Sequence, residues 1–214
     1  MSLDLHPRLA LAIALVVSLG SARSLASPQV PAPAANCMAA PALSTPSPQG
    51  LRGVSNFGQV APTLFRGGQP STEGYRELKQ MGIDTVISFR HEKGENTLER
   101  RAVEGLGMRF VSLPWHAWED PTDQQVREFF TVLNANPHGK FYVHCQQGRD
   151  RTGTMVALYR VAVDHWCTAS AVAEMKAYHY HHFFFPQLET YVENFPQRLA
   201  GDQGLAQSIL AASK

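Results

Sequence analysis

Short apolar runs alternate along this chain with stretches whose apolar residues recur every three or four positions, the pattern of strands alternating with one-sided helices. Residues 60–66 read as one extended segment. Ser71 then caps a helix that places Tyr75, Leu78 and Met81 on one face, and Gly82 stops it. The run TVISF at 85–89 is a short β-rich strand, 98–106 a helix closed by Gly107, and 110–113 another strand. Val126, Phe129, Phe130 and Leu133 fall at helical spacing, and FYVH at 141–144 is the next strand. Helices are predicted at 152–163, 169–178 and 187–195, ahead of a polar, Ala-rich tail. The order βαβαβαβ followed by helices implies an α/β fold, with a mainly parallel central sheet and helices on both faces.

The first fifty residues break this pattern. LALAIALVVSLG at 9–20 follows Arg8 and precedes Ser24 and Ala26, a small-x-small cleavage signal, so 1–26 reads as a signal peptide. A retained anchor is the alternative, but the run is well short of the ~20 residues that span a bilayer. Residues 27–50, mostly Pro, Ala and Ser, bury too little to offset their ordering entropy and read as a linker. The folded domain is then expected at 51–198, with 199–214 as a tail. These readings predict an exported protein, periplasmic or secreted, with no stable membrane span after cleavage.

Composition narrows the function. At 44% hydrophobic and 17% charged residues the chain is neither disordered throughout nor a multi-span membrane protein. Its 19 basic residues face 18 acidic ones, so no overall field draws it to nucleic acid, and any affinity for phosphate must be local. Cys37, Cys145 and Cys167 are too few for a disulfide framework, and pairing two leaves one thiol over. Cys167 reads either as a small buried hydrophobe beside Trp166 or as a partner of Cys37; the spacing favours neither.

The chemistry concentrates in HCQQGRDRTG, residues 144–153, where a strand ends and a helix begins. A tight loop from Cys145 to Arg151 can wrap one oxyanion with inward amides, the helix dipole adding positive potential. Such a site favours a nucleophilic thiolate. Arg151 can grip two phosphoryl oxygens with its planar fork, and Thr152 is placed to donate to the sulfur. Gly148 and Gly153 supply the turn and the close backbone approach. Gln146, Gln147, Gly148, Arg149, Asp150 and Thr152 are the candidate substrate-binding set. His144 either orients the loop or simply ends the strand.

This signature after an apolar strand resembles the phosphate-binding loop of the cysteine-dependent protein tyrosine phosphatase superfamily, in its compact atypical dual-specificity branch. NFGQVAPTLFRGGQP and TVISFR extend the likeness over most of the domain. The resemblance implies a dual-specificity phosphatase-like fold and a phosphocysteine intermediate on Cys145, with no metal or cofactor. It implies a phosphorylated protein, or an inositol phosphate or phosphoinositide, as substrate. It also implies an upstream Asp as general acid, for which WHAWEDPTDQQV offers Asp120 first, then Asp123, Glu119 and His116. Asp120 before Pro121 also reads as a helix start.

Arg149 replaces the Lys of the Gly-Lys-x-Arg-Thr-Gly form found in phosphatases that accept phosphoinositides, and as a second cation at the rim it favours polyphosphorylated head groups. The alternative has it facing solvent or paired with Asp150. Asp150 stands where the inositol-pyrophosphate phosphatases that this chain resembles usually carry His, so their substrate does not carry over with the motif. Competing functions are a phosphate-binding module without turnover, a rhodanese-like sulfurtransferase, and a secreted effector with the same chemistry. His179, His181 and His182 diverge on a helix and make a poor metal site. Phe183, Phe184 and Phe185 are expected to pack between helices, with a membrane-facing wedge as the alternative, and Trp115 and Trp118 either wall the pocket or pack the acid loop.

Overall fold

Successive residues of the central strands are buried against opposite helical layers. The computed structural model describes residues 37–210. In it β1 (Gly58–Ala61), β2 (Leu64–Gly67), β3 (Thr85–Ser88), β4 (Arg109–Ser112) and β5 (Phe141–His144) form a five-stranded sheet in the order β1-β2-β5-β3-β4. β1 runs antiparallel to β2, and every other neighbouring pair is parallel. Because side chains alternate across a strand, Leu64, Ile87, Phe141 and Val143 enter one core while Phe65, Val86 and Tyr142 enter the other. The second core is closed by α1 (Thr72–Gln80) and α2 (Lys93–Gly105), through Tyr75, Leu78 and Val103. The first takes apolar residues from α3 (Asp123–Asn134), α4 (Asp150–Ala162), α5 (Thr168–Ala177), α6 (Pro186–Glu193), α7 (Phe195–Gly201) and α8 (Gln203–Leu210). The mainly parallel sheet with helices on both faces is the predicted fold class.

Local chemistry sets the boundaries. Ser71 accepts a hydrogen bond from the Gly74 amide at the start of α1, and Gly82 beyond its end takes a left-handed φ of +81°. Thr122 and Gln125 form a reciprocal capping box at the start of α3.

Three expectations are corrected. The extended segment at 60–66 is not one strand: Pro62 has no N–H to donate to a ladder, so the chain turns there and β1 folds back on β2. The tail from 199 carries the last turn of α7 and all of α8, whose Leu205 and Ile209, four residues apart, are buried in the first core. The linker reading fails from Cys37 onward. Cys37 is disulfide-bonded to Cys167, Met38 exchanges backbone hydrogen bonds with His165 and Cys167, and the Ser47 amide donates to the Phe57 carbonyl. The segment lacks apolar side chains enough to fold by burial, and is held by this covalent and polar tethering instead. The signal-peptide reading and the front of the linker lie outside the described residues.

Candidate active site

β5 ends at His144 and α4 begins at Asp150, so residues 145–149 must close a tight turn at the carboxyl edge of the sheet. A cavity of about 460 Å³ opens over that turn. Its floor and near wall come from Cys145, Gln146, Gln147, Asp150 and Arg151; the far walls come from His91 and Glu92 after β3, from 116–118 after β4, and from His181, Phe184 and Phe185 before α6. Cys145 is the free cysteine and is buried.

The loop is shaped by what holds its carbonyls. The Cys145 carbonyl lies 3.2 Å from His144 Nδ1, the Gln146 carbonyl accepts from the Gln69 amide at 3.0 Å, and the Gly148 carbonyl accepts from Asn56 Nδ2 at 2.9 Å and Arg66 Nη2 at 3.0 Å. Across a trans peptide the carbonyl and the following N–H point opposite ways, so these ties aim the amides of Gln146, Gln147 and Arg149 toward the cavity. Gly148 has φ +69°, and a Cβ there would sit 2.3 Å from the Gly67 backbone, so only glycine fits. Gly153 is different: a Cβ would meet Met175 at an ordinary 3.6 Å, so the expected close backbone approach is confined to Gly148.

Beneath the loop lies a buried polar chain. His144 Nε2 is 2.7 Å from Glu99 Oε1, which also accepts from the Tyr75 hydroxyl at 2.7 Å. Burial opposes ionisation of Glu99, yet the His144 imidazole and the bonds it receives outweigh burial and hold its carboxyl below the ordinary range. Burial, reinforced by Glu99, pushes the Tyr75 hydroxyl well above its usual value. Orienting the loop is therefore what His144 does here.

A second support is Arg66, fully buried, its guanidinium 3.7 Å above the Tyr178 ring. Burial brings its pKa down to about 10, against the opposing pull of Glu174, Tyr178 and Cys145, so it remains a cation at neutral pH. Tyr178 in turn donates to the Thr45 carbonyl at 3.0 Å, and Ser44 donates to Glu174. The disulfide-tethered segment thus backs the ring that backs Arg66.

Arg151 is placed by backbone. Its Nη1 donates to the carbonyls of Phe89 at 3.0 Å and Trp115 at 3.3 Å, and lies 3.1 Å from His91 Nδ1. Burial pushes the His91 pKa down, and the neutral ring accepts from Arg151 at Nδ1 when its proton sits on Nε2. Beside it, Glu92 is held below the ordinary carboxylate range: burial is overcome by a backbone hydrogen bond and by Arg90, His91 and Arg151. The Thr152 hydroxyl is buried without a hydrogen-bond partner, so the bond to the sulfur expected from sequence is not made in this arrangement.

The remaining candidates separate. Asp150 faces the cavity but accepts from the His181 amide at 2.8 Å and lies 3.0 Å from His181 Nδ1. His181 Nε2 is 2.9 Å from Arg149 Nη1. Arg149 consequently lines a neighbouring depression with Asn56 and His179 and is not among the cavity's lining residues, unlike the rim cation expected from sequence.

Of the proton donors considered, His116 alone lines the cavity, its ring 3.7 Å from that of His91. Asp120, the first choice from sequence, opens instead on a depression with Gln187, Tyr191 and Arg198, because Pro121 and the capped start of α3 turn it toward α6. Burial raises its pKa there, and Arg198 partly offsets that. Asp123 pairs with Arg198, and Glu119 is exposed.

Trp115 is buried in the core while Trp118 walls the cavity. Phe183 and Phe184 are exposed, against the expectation of core packing. Sequence reading missed Glu99, Tyr75 and Arg66. Two left a signal: Glu99 sits four residues before Val103 on the buried stripe of α2, and Arg66 interrupts an apolar strand.

A family profile described as "DSP-PTPase phosphatase fused to NAD+ Kinase" matches residues 54–192. The chain is similar to the dual specificity protein phosphatase TpbA of Pseudomonas aeruginosa, 31% identical over 142 residues, which cover 64% of this chain and 62% of TpbA. Human dual specificity protein phosphatase 26 is 29% identical over 133 residues, 59% of this chain and 61% of that protein. The chain thus matches less than two thirds of these relatives' length. A crystal structure of P. aeruginosa TpbA superposes with a TM-score of 0.57 at 26% identity, covering 75% of this chain and 92% of that one. The catalytic core of the PP-IP phosphatase SIW14 of Saccharomyces cerevisiae shares the fold, with a TM-score of 0.54 at 15% identity over 71% of this chain and 94% of that one. With the profile spanning more than half of the sequence, and the loop from Cys145 to Arg151 built as described, the chain belongs to the DSP-PTPase phosphatase family.

Proposed function

We propose that the protein hydrolyses phosphomonoesters through a phosphocysteine intermediate, with phosphorylated protein side chains as substrates. The observation that carries this reading is the turn at 145–149, whose carbonyls are tied outward while Cys145 and Arg151 both line the cavity floor. A phosphoryl group seated there has its oxygens among the amides and the Arg151 fork. The Cys145 thiolate attacks phosphorus, the P–O bond breaks, and the departing oxygen takes a proton from a donor at the cavity, for which His116 is the candidate that lines it. Water then attacks the phosphocysteine and gives a proton back to that group, the S–P bond breaks, and inorganic phosphate leaves. In that second step a rotation of the unpartnered Thr152 hydroxyl toward the sulfur would ease its departure.

TpbA and human phosphatase 26, by name dual specificity protein phosphatases, support a protein substrate, and another solved TpbA structure contains pTyr. The test compares full-length wild type with Cys145→Ser on phosphotyrosyl and phosphothreonyl peptides, a phosphoinositide and inositol hexakisphosphate. The buffer is anaerobic and free of thiols, which keeps Cys145 reduced and the disulfide intact. Phosphate release by wild type and none by the variant is the expected result; phosphate binding without turnover would leave a binding module.

The same proposal includes export. The disulfide between Cys37 and Cys167 supports it, since such bonds persist in oxidising compartments. Fractionation of cells expressing the full chain tests this, and recovery in the cytosol overturns it.

A further inference from the structure

The cavity has a polar floor and an aromatic mouth. Trp118 is 70% exposed, and its ring meets that of Phe185 edge-on at 4.7 Å. Phe184, 59% exposed, continues the wall, and Phe183, 84% exposed, extends it outward with its ring 5.7 Å from that of Phe184. These rings come from two separate loops, before α3 and before α6, that meet at the mouth. Largely exposed Phe and Trp side chains gathered beside a cavity mark a binding surface rather than scattered apolar residues.

Charge tells what the rings can receive. Among the residues lining the cavity, Arg151 is the one fixed cation, at the floor, and the carboxylates of Glu92 and Asp150 face the same space. Cys145, His91, His116 and His181 are the other titratable groups there. Arg149, the second cation the motif offers, is drawn away by His181 into the neighbouring depression. A ligand with several phosphates would seat one on the floor and bring the others against rings and carboxylates. A single aryl phosphate has its charge on the floor and its ring among rings.

Resting on the phosphatase reading, we propose that Trp118, Phe183, Phe184 and Phe185 determine specificity: the substrate is a phosphotyrosyl segment of protein with a large apolar residue beside the phosphotyrosine. The phosphotyrosine ring passes between Trp118 and Phe184, and the apolar neighbour lies on Phe183 outside the cavity. Phe183 is beyond the cavity lining, so it contributes only to substrates that extend past the mouth.

The test uses the full chain, wild type and Phe183→Ala, with four probes: p-nitrophenyl phosphate, a phosphotyrosyl peptide flanked by Leu and Phe, the same peptide flanked by Asp and Glu, and inositol hexakisphosphate. Wild type is expected to rank the apolar-flanked peptide first. In the variant, the ratio of kcat/KM on that peptide to kcat/KM on p-nitrophenyl phosphate falls about fivefold or more, carried by KM. Turnover of p-nitrophenyl phosphate by the variant reports that it is folded. An unchanged ratio, equal use of the two peptides, or preference for inositol hexakisphosphate overturns the proposal. So does a loss of binding to vesicles of anionic phospholipid in Phe183→Ala without any change in the peptide ratio, which would assign the rings to a lipid surface. Absence of turnover on every probe, in wild type as in Cys145→Ser, is a separate outcome that sinks the phosphatase reading itself.

Discussion

The underside and the mouth of the cavity are built on opposite principles. Below the loop the supports are polar and, apart from the half-buried Asn56, buried: Tyr75, Glu99 and His144 form one chain to the loop, and Arg66, Tyr178 and Asn56 another. At the mouth the contacts are ring against ring, half in solvent, with few hydrogen bonds to fix them. A phosphoryl group is the same in every substrate and is recognised by fixed dipoles, which must be held before it arrives. What surrounds it differs from substrate to substrate, and adaptable apolar contacts suffice there. Substitutions below the loop should therefore reduce stability and turnover together, and substitutions at the mouth should alter only which substrate is used.

The largest effect is expected at Glu99. Glu99→Ala leaves the His144 imidazole and the Tyr75 hydroxyl without their shared acceptor in a dry site, a loss of about 3 kcal/mol. Glu99→Gln keeps an oxygen there and is expected to lose about 1 kcal/mol. Urea unfolding, with turnover measured in parallel, checks both. The pH dependence has a definite sign. Glu99 has its folded pKa depressed below the ordinary 4.5, so its contribution is complete above that value and is lost as pH falls through the lower folded value. The stability gap between wild type and Glu99→Gln should thus be constant from pH 7 to about 5 and close below pH 4.5. A gap that persists at acid pH means that the carboxylate charge is not what holds His144.

Next comes the disulfide. Cys37 and Cys167 are separated by 130 residues, so their link restricts a long loop in the unfolded chain, worth about 2 to 4 kcal/mol. Because the tethered segment also carries the Thr45 carbonyl that holds Tyr178, the paired Cys37→Ser/Cys167→Ser variant should do more than lower Tm. Its inhibition constant for inorganic phosphate is expected to rise about threefold, as Arg66 loses its backing. A fall in Tm with unchanged phosphate affinity would uncouple the strap from the floor.

The proton donor tests where the two regions meet. His116 lines the cavity and Asp120 does not, so on a phosphotyrosyl peptide His116→Gln should reduce kcat about tenfold or more, and Asp120→Asn by about threefold at most. The reverse order would show that the loop carrying Asp120 swings into the cavity when substrate is bound.

Legibility in the sequence followed the same divide. Strands and helices with apolar faces, and the turn from Cys145 to Arg151, were readable because each depends on local periodicity or on one contiguous motif. The β1–β2 hairpin was lost because Pro62 sits inside what reads as one run, and α8 because two apolar residues in a polar tail are a weak signal. The Cys37–Cys167 bond, the Arg149–His181 contact and the Glu99–His144 pair join residues far apart in the chain, and no spacing rule reaches them. The direction of Asp120 was misread for a related reason: its loop was placed correctly, but the orientation depends on how the capped start of α3 meets α6. Phe183, Phe184 and Phe185 look like core residues by composition, and only the fold shows two of them in solvent.

The smallest effect is expected at the mouth. Trp118 is exposed, and its one aromatic contact among the described residues is an edge contact with Phe185, so Trp118→Ala should change stability by no more than about 0.5 kcal/mol. The surrounding loop remains tied without it, since the Ala117 carbonyl accepts from Gln187 and the Pro114 carbonyl from Gln125. Its loss should instead appear as a KM about threefold higher on phosphotyrosyl peptides, with no such rise on phosphothreonyl peptides, which offer no ring to pass between Trp118 and Phe184. Equal rises on both would make Trp118 a general part of the cavity wall. A drop in stability as large as that of Glu99→Ala would remove the distinction between a rigid floor and an adaptable mouth.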